Sequence, residues 1–200
     1  AQLVLLATPS HTARALLIEV KRHIENSAII VSVAKGIEIE SSRRISEIVS
    51  ELMGEQLAES FVCLSGPSFA REVVDHHPTA IVAASRNESA ARTVQAELSH
   101  ANLRIYTNID VVGTELGGSV KNVMAIAAGM TAGLGFGSNS VAALITRGLA
   151  EMTRLAISQG AQIETLSGLA GLGDLVLTCT GSLSRNRFVG EQLGKGQTLE

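Results

Sequence analysis

Lys121 is the residue whose surroundings ask most of it. It lies in the run Leu116-Gly117-Gly118-Ser119-Val120-Lys121-Asn122-Val123, and the 25 residues from Asn122 to Thr146 that follow carry no charge. A lysine held among apolar side chains loses solvation, which disfavours its ammonium form and lowers its pKa. That is how a lysine becomes a general base. The competing reading is a lysine at a helix edge that extends its amine to water. Two glycines inside a helix cost about 1 kcal/mol each against alanine, so Gly117 and Gly118 imply that another backbone or a ligand comes very close.

Asp174 is the second candidate. It closes the run Gly168-Leu169-Ala170-Gly171-Leu172-Gly173-Asp174-Leu175 and is the only acid between Glu164 and Glu191. A carboxylate among apolar residues needs a partner, and a lysine is the obvious one; a helix N-cap is the alternative. Thr178 and Thr180 offer hydroxyls to the same wall. Ser184-Arg185-Asn186-Arg187 sets a guanidinium and an amide beside a helix start, a combination suited to a phosphate, or else a solvated turn. Asp75-His76-His77 does not read as a metal site, because adjacent histidines point in different directions and no other ligand cluster supports them. Cys63, Ser65 and Ser68 lack a paired His and Asp motif, so no nucleophile triad is expected.

These groups need a scaffold. Apolar runs at Leu3–Ala7, Ala28–Val33, Phe61–Leu64, Ala80–Ala84 and Leu103–Tyr106 read as strands. Between them Ala13, Leu16, Leu17, Val20 and Ile24, then Ile45, Ile48, Val49 and Leu52 with Gly54 as a stop, then Ala91, Val94 and Leu98, recur at helical spacing. Continuous apolar strands alternating with amphipathic helices predict an α/β fold, a partial doubly wound parallel sheet of the Rossmann type covered on both faces. After about Asn108 no strand pattern survives, and long Ala/Leu/Met/Gly segments predict a mostly α-helical domain. The expected division is therefore 1–108 and 109–200. Asn122 to Thr146 reads as a buried helix, a glycine loop and a second buried helix rather than a membrane span, because Gly133, Gly135 and Gly137 interrupt it.

Ligands of open α/β sheets bind beyond the carboxyl ends of the strands. Those ends are Thr8-Pro9-Ser10, Lys35-Gly36 and Ser65-Gly66-Pro67-Ser68, where small residues allow close backbone approach and Lys35 adds a positive charge. The first half holds no G-x-G-x-x-G loop, and Gly133-x-Gly135-x-Gly137 has the wrong spacing for one. The sequence opens inside what reads as a strand, so a piece of a longer chain that lacks a phosphate-binding start is expected.

Composition excludes several classes. A net charge of −3, no basic stripe and five aromatic residues argue against a nucleic-acid surface. With 46% hydrophobic and 18% charged residues the chain is no disordered tail. Two distant cysteines, Cys63 and Cys179, form no C-x-x-C pair and suit a reducing cytosol.

Five motifs occur in a telling order: Ala34-Lys35-Gly36-Ile37-Glu38, Ser65-Gly66-Pro67-Ser68-Phe69-Ala70, Leu116 to Val123, Ala170-Gly171-Leu172-Gly173-Asp174-Leu175, and Ser184-Arg185-Asn186-Arg187. In this the chain resembles bacterial NAD(P)-dependent glycerol-3-phosphate dehydrogenase over nearly its whole length. The resemblance implies a cytoplasmic oxidoreductase, with room for a homodimer, that interconverts sn-glycerol 3-phosphate and dihydroxyacetone phosphate with NAD or NADP and feeds phospholipid synthesis. It implies Lys121 as the proton-transferring lysine and Asp174 as the acid that faces it. Substrate contacts fall to Lys35, Gly66, Ser68, Lys121, Asp174, Ser184, Arg185 and Asn186. Cofactor contacts fall to Lys35, Ala70 and Arg185. Asp75-His76-His77 stands where a glycine-containing turn would be expected. A related two-domain dehydrogenase acting on a carboxylate-bearing hydroxy acid, and a non-catalytic fragment or binding module, are the competing readings.

Overall fold

A computed structural model describes residues 1–198. Five strands, β1 (Leu3–Leu6), β2 (Ile29–Ser32), β3 (Val62–Ser65), β4 (Thr79–Ala84) and β5 (Leu103–Asn108), form one sheet in the order β1-β2-β3-β4-β5. The pairs β1–β2, β2–β3 and β4–β5 are parallel, but β4 runs antiparallel to β3, with Leu64 opposite Ala83. The sheet is therefore mixed rather than all parallel. A parallel return needs a crossover laid along the whole sheet. Residues 66–78 instead stay at the carboxyl rim of β3, and Gly66, at φ +138°, turns the chain there.

The strands bury both faces because neighbouring residues point opposite ways. Ile30, Phe61 and Cys63 pack under helices α1 (Ser10–Val20) and α2 (Ile45–Met53), against Ala13, Leu17, Ile48 and Val49. Val31, Val62, Leu64, Ile81 and Ile105 pack on the other face, against Ala90 and Val94. Short helix α3 (Glu55–Glu59) follows Gly54, and α4 (Ala70–Val74) lies in the β3–β4 link. Ala90 and Val94 belong to α5 (Glu88–Leu98), which Asn87 caps.

From Asp110 onward every regular element among the described residues is helical. Asp110 caps α6 (Val111–Gly133) by accepting from the Gly113 N–H at 2.8 Å. A loop with Gly135 at φ +82° leads to α7 (Ser138–Ser158). This second helix is not buried as expected: only Gly148, Met152 and Ala156 are fully covered, because a single stripe meets its neighbours and the small residues beside it stay open. Helix α8 (Ile163–Ser167), a π-helical turn (Leu169–Gly173), α9 (Asp174–Thr180) and α10 (Arg185–Gly194) complete the described chain. Helices α6 and α10 cross backbone to backbone: a Cβ on Gly129 would lie 2.0 Å from the Arg187 carbonyl oxygen, and one on Gly190 2.0 Å from that of Ile126. Among the described residues no helix is long and apolar enough to cross a membrane.

Candidate active site

Three elements deliver charge to one point. The loop after β2 brings Lys35 from the sheet side, α6 brings Lys121, and α9 brings Asp174 as its first residue, directly after the π-helical turn. Asp174 is 1% exposed and Lys121 5%. Lys121 Nζ donates to Asp174 Oδ1 and, at 2.8 Å, to Thr178 Oγ1. Lys35 Nζ donates to Asp174 Oδ2 at 2.7 Å and to the Gly66 carbonyl at 3.0 Å. Thr178 spends its own proton on the Asp174 carbonyl at 2.6 Å, which leaves its lone pairs facing Lys121. Asp174 is thus a partnered carboxylate at the start of α9 rather than an N-cap.

One carboxylate serves two ammonium groups, so neither is fully neutralised. Burial, and after it the neighbouring Lys35, lower the Lys121 pKa from 10.5 to about 8, while Asp174 pulls it back up. An amine poised there can release and regain a proton near neutral pH. Gly117 and Gly118 explain how α6 gets close enough. A Cβ on Gly117 would stand 2.4 Å from the Ala170 carbonyl oxygen, and one on Gly118 2.7 Å from Ser65 Oγ.

The cluster opens into a cleft of about 400 Å³ whose polar lining is Lys35, Ser68, Lys121, Asp174, Thr178, Ser184, Arg185 and Asn186. Phe69, Leu177, Leu183 and Val189 form its apolar wall. Ser184 caps α10 by accepting from the Arg187 N–H at 3.2 Å, so the helix start and Arg185 face the same space. A larger hollow of about 530 Å³ beside Arg44, Ser46, Glu47 and Arg86 lies away from this cluster. Its Arg44 and Glu47 are already paired at 2.8 Å, and no desolvated base lines it.

The other sequence candidates divide. Gly66 is not part of the cleft lining; its carbonyl holds Lys35 and also accepts from Ser68 Oγ at 3.1 Å. Ala70 is exposed at the start of α4, outside the lining. Arg187 is turned away, bonded to the Gly181 carbonyl and Glu191. Thr180 faces a second groove between α6, α7 and α10 instead of the Thr178 wall. Where a glycine was expected, His76 adopts φ +61°. Sequence reasoning missed the apolar wall; Phe69 stood inside a quoted motif, but nothing in its spacing marked it as lining.

Two buried hydroxyls at the strand ends, Thr8 Oγ1 and Ser65 Oγ, have no hydrogen-bond partner among the described residues. Unsatisfied polar atoms at the carboxyl rim fit a polar ligand laid across it, as a dinucleotide would be. Two family models match the chain, the N-terminus of NAD-dependent glycerol-3-phosphate dehydrogenase over residues 1–91 and its C-terminus over residues 110–200. The chain belongs to that family.

Its relatives agree. The glycerol-3-phosphate dehydrogenase [NAD(P)+] of Koribacter versatilis is 54% identical over 199 residues, which are 100% of this chain and 59% of that protein. That of Trichlorobacter lovleyi is 56% identical over 200 residues, 100% of this chain and 60% of its own. The crystal structure of the Coxiella burnetii glycerol-3-phosphate dehydrogenase superposes with a TM-score of 0.93 at 43% identity, covering 98% of this chain and 59% of that one. The chain therefore spans about 59% of the length of the relatives it matches.

Proposed function

We propose that the protein interconverts sn-glycerol 3-phosphate and dihydroxyacetone phosphate with NAD or NADP, and that this chain supplies the proton-transfer and phosphate ends of the site. The observation that carries the reading is the Lys121 amine, buried against Asp174 and Thr178, in a cleft whose other wall is the start of α10. Bound NAD(P) would supply or accept the hydride at the substrate's C2. In reduction, Lys121 as ammonium gives its proton to the oxygen on C2; in oxidation, the neutral amine takes it back. Asp174 orients the amine and favours its charged form, burial favours the neutral form, and the two together bring the amine near working pH. Lys35, bonded to the other carboxylate oxygen, places a second positive charge at the junction of substrate and cofactor.

Ser184, Arg185 and Asn186 hold the phosphate at the positive end of α10, remote from the reacting carbon, so that binding energy serves positioning. Ser68 contributes a hydroxyl from the sheet side, and Gly66 acts through the loop it shapes. Ala70 would reach the cofactor from the start of α4. Residues 1–108 form the cofactor side and 109–200 the substrate side in this reading. The two buried free cysteines, Cys63 and Cys179, support a cytoplasmic location. Leu134 and Phe136, exposed together in the loop after α6, supply an apolar patch for a homodimer, and the product would serve phospholipid synthesis.

The test is a substrate panel on the complete polypeptide encoded by the gene. NAD(P)H oxidation with dihydroxyacetone phosphate is expected, with little or none for hydroxy-acid precursors that carry a carboxylate instead. Preference for the carboxylate ligands would overturn the phosphate assignment.

A further inference from the structure

The helix that carries Lys121 carries a second buried charge. Glu115, on α6, is 6% exposed. Its carboxylate accepts from the Ser46 backbone N–H at 2.8 Å and the Ser46 hydroxyl at 2.5 Å, with the Arg44 guanidinium 3.4 Å away. Those donors belong to the first turn of α2 and its cap, on the sheet side of the molecule. Burial pushes the Glu115 carboxyl above its ordinary range, and the Ser46 bonds only partly hold it down. A carboxylate so placed is a poor source of stability and a good means of fixing register.

Register is what the site needs. Lys121 and Lys35 reach one carboxylate from different elements, so α6 has to sit at one height relative to the β2 loop and α9. Asp110 ties the start of α6 to the Gln162 N–H at 2.8 Å, and Gly117 seats it on the Ala170 backbone. The Ser46–Glu115 tether joins the same stretch of helix to the sheet side. We propose that Glu115 is a positioning residue whose hold on Ser46 sets the height at which α6 delivers Lys121 to Asp174 beside Lys35. Its kinetic consequence rests on Lys121 being the proton-transferring amine; its geometric consequence does not.

The test compares Glu115→Ala, Glu115→Gln, Ser46→Ala and the Glu115→Ala/Ser46→Ala double variant with the parent, each as the complete polypeptide. Three readouts are taken: thermal midpoint, the pH dependence of Lys121 acetylation by acetic anhydride read by peptide mass spectrometry, and kcat and KM for dihydroxyacetone phosphate. Lys35 and Asp174 are the charges that set Lys121, so loss of Glu115 reaches the amine by moving the helix. Glu115→Ala is expected to raise the labelling midpoint of Lys121 from about 8 toward 10.5. Ser46→Ala loses the hydroxyl bond but keeps the backbone N–H bond, so it is expected to raise the midpoint part of the way, and the double variant no further than Glu115→Ala alone. Glu115→Gln keeps an acceptor for the Ser46 N–H and is expected to retain the parent midpoint. Misplacement of the amine lowers kcat about 10- to 100-fold with little change in KM. If Glu115→Ala does not fold, Ser46→Ala carries the comparison. Lower thermal midpoints with unchanged labelling and kcat would overturn the proposal. Moved labelling midpoints in a protein that does not turn over dihydroxyacetone phosphate would instead overturn the functional reading and leave the positioning role standing.

Discussion

Replacing Lys121 with methionine exposes what the buried amine does to the fold. Methionine keeps an unbranched apolar stem of similar volume and removes the titrating nitrogen. In the folded chain that nitrogen titrates at about 8 instead of 10.5, chiefly because it is buried. At about 1.4 kcal/mol per pH unit, the gap between those values amounts to about 3 kcal/mol. The folded pKa lies below the unfolded one, so between about pH 8 and 10.5 the unfolded chain holds a proton that the folded chain has released. Unfolding free energy contributed by this group therefore rises with pH across that window. Below it the folded state bears the charged amine at its full disadvantage. Urea unfolding of parent and Lys121→Met, measured at pH steps through the window, gives the difference in which groups common to both cancel. The parent is expected to gain about 3 kcal/mol on the variant from the bottom of the window to the top. A difference that stays flat, or falls with pH as it would for a lysine whose charge Asp174 stabilises outright, would refute the reasoning.

Other substitutions follow from the same geometry. Asp174→Asn is nearly isosteric but removes the charge that holds the Lys121 pKa up, so the amine should titrate below about 8 and turnover should fall by about 100-fold or more; an unmoved pH profile would contradict this. Gly117→Ala gains about 1 kcal/mol of helix propensity, yet its Cβ would meet the Ala170 carbonyl oxygen at 2.4 Å. Crowding of that kind costs about 1–3 kcal/mol, so the thermal midpoint is expected to drop rather than rise. His76→Gly relieves a left-handed conformation at φ +61°. That relief is worth about 1 kcal/mol or more against the extra entropy of glycine, so a small rise in melting temperature is expected.

Much of this was legible in the residues because burial leaves periodic traces. The alternating clusters on the two sheet faces follow directly from runs such as Ala28–Val33, whose neighbours Ile30 and Val31 pack on opposite sides. Lys121 and Asp174 were legible for a different reason, as charges stranded among apolar or glycine-rich residues that need a partner, and Lys35 as a charge at the carboxyl end of a strand. Strand direction was not legible. A run such as Thr79–Ala84 reads alike from either end, and only the path of residues 66–78 decides that β4 opposes β3. Nor was the exposure of the first turns of α7, because Ser138 to Thr146 carry no charge to mark an outer face, whereas Arg147, Glu151 and Arg154 mark one further along. Glu115 and Ser46 lie far apart in the chain and carry no motif, so the tether between them becomes visible only when α6 is laid beside α2.

The central claim is that the Lys121 amine moves the proton. The rate of NAD(P)H oxidation with dihydroxyacetone phosphate, measured on the complete polypeptide and on its Lys121→Met variant, tests it most directly. Turnover by the parent and a loss of about 100-fold or more in a variant that remains folded is the predicted result; a near-normal rate in that variant would contradict the account.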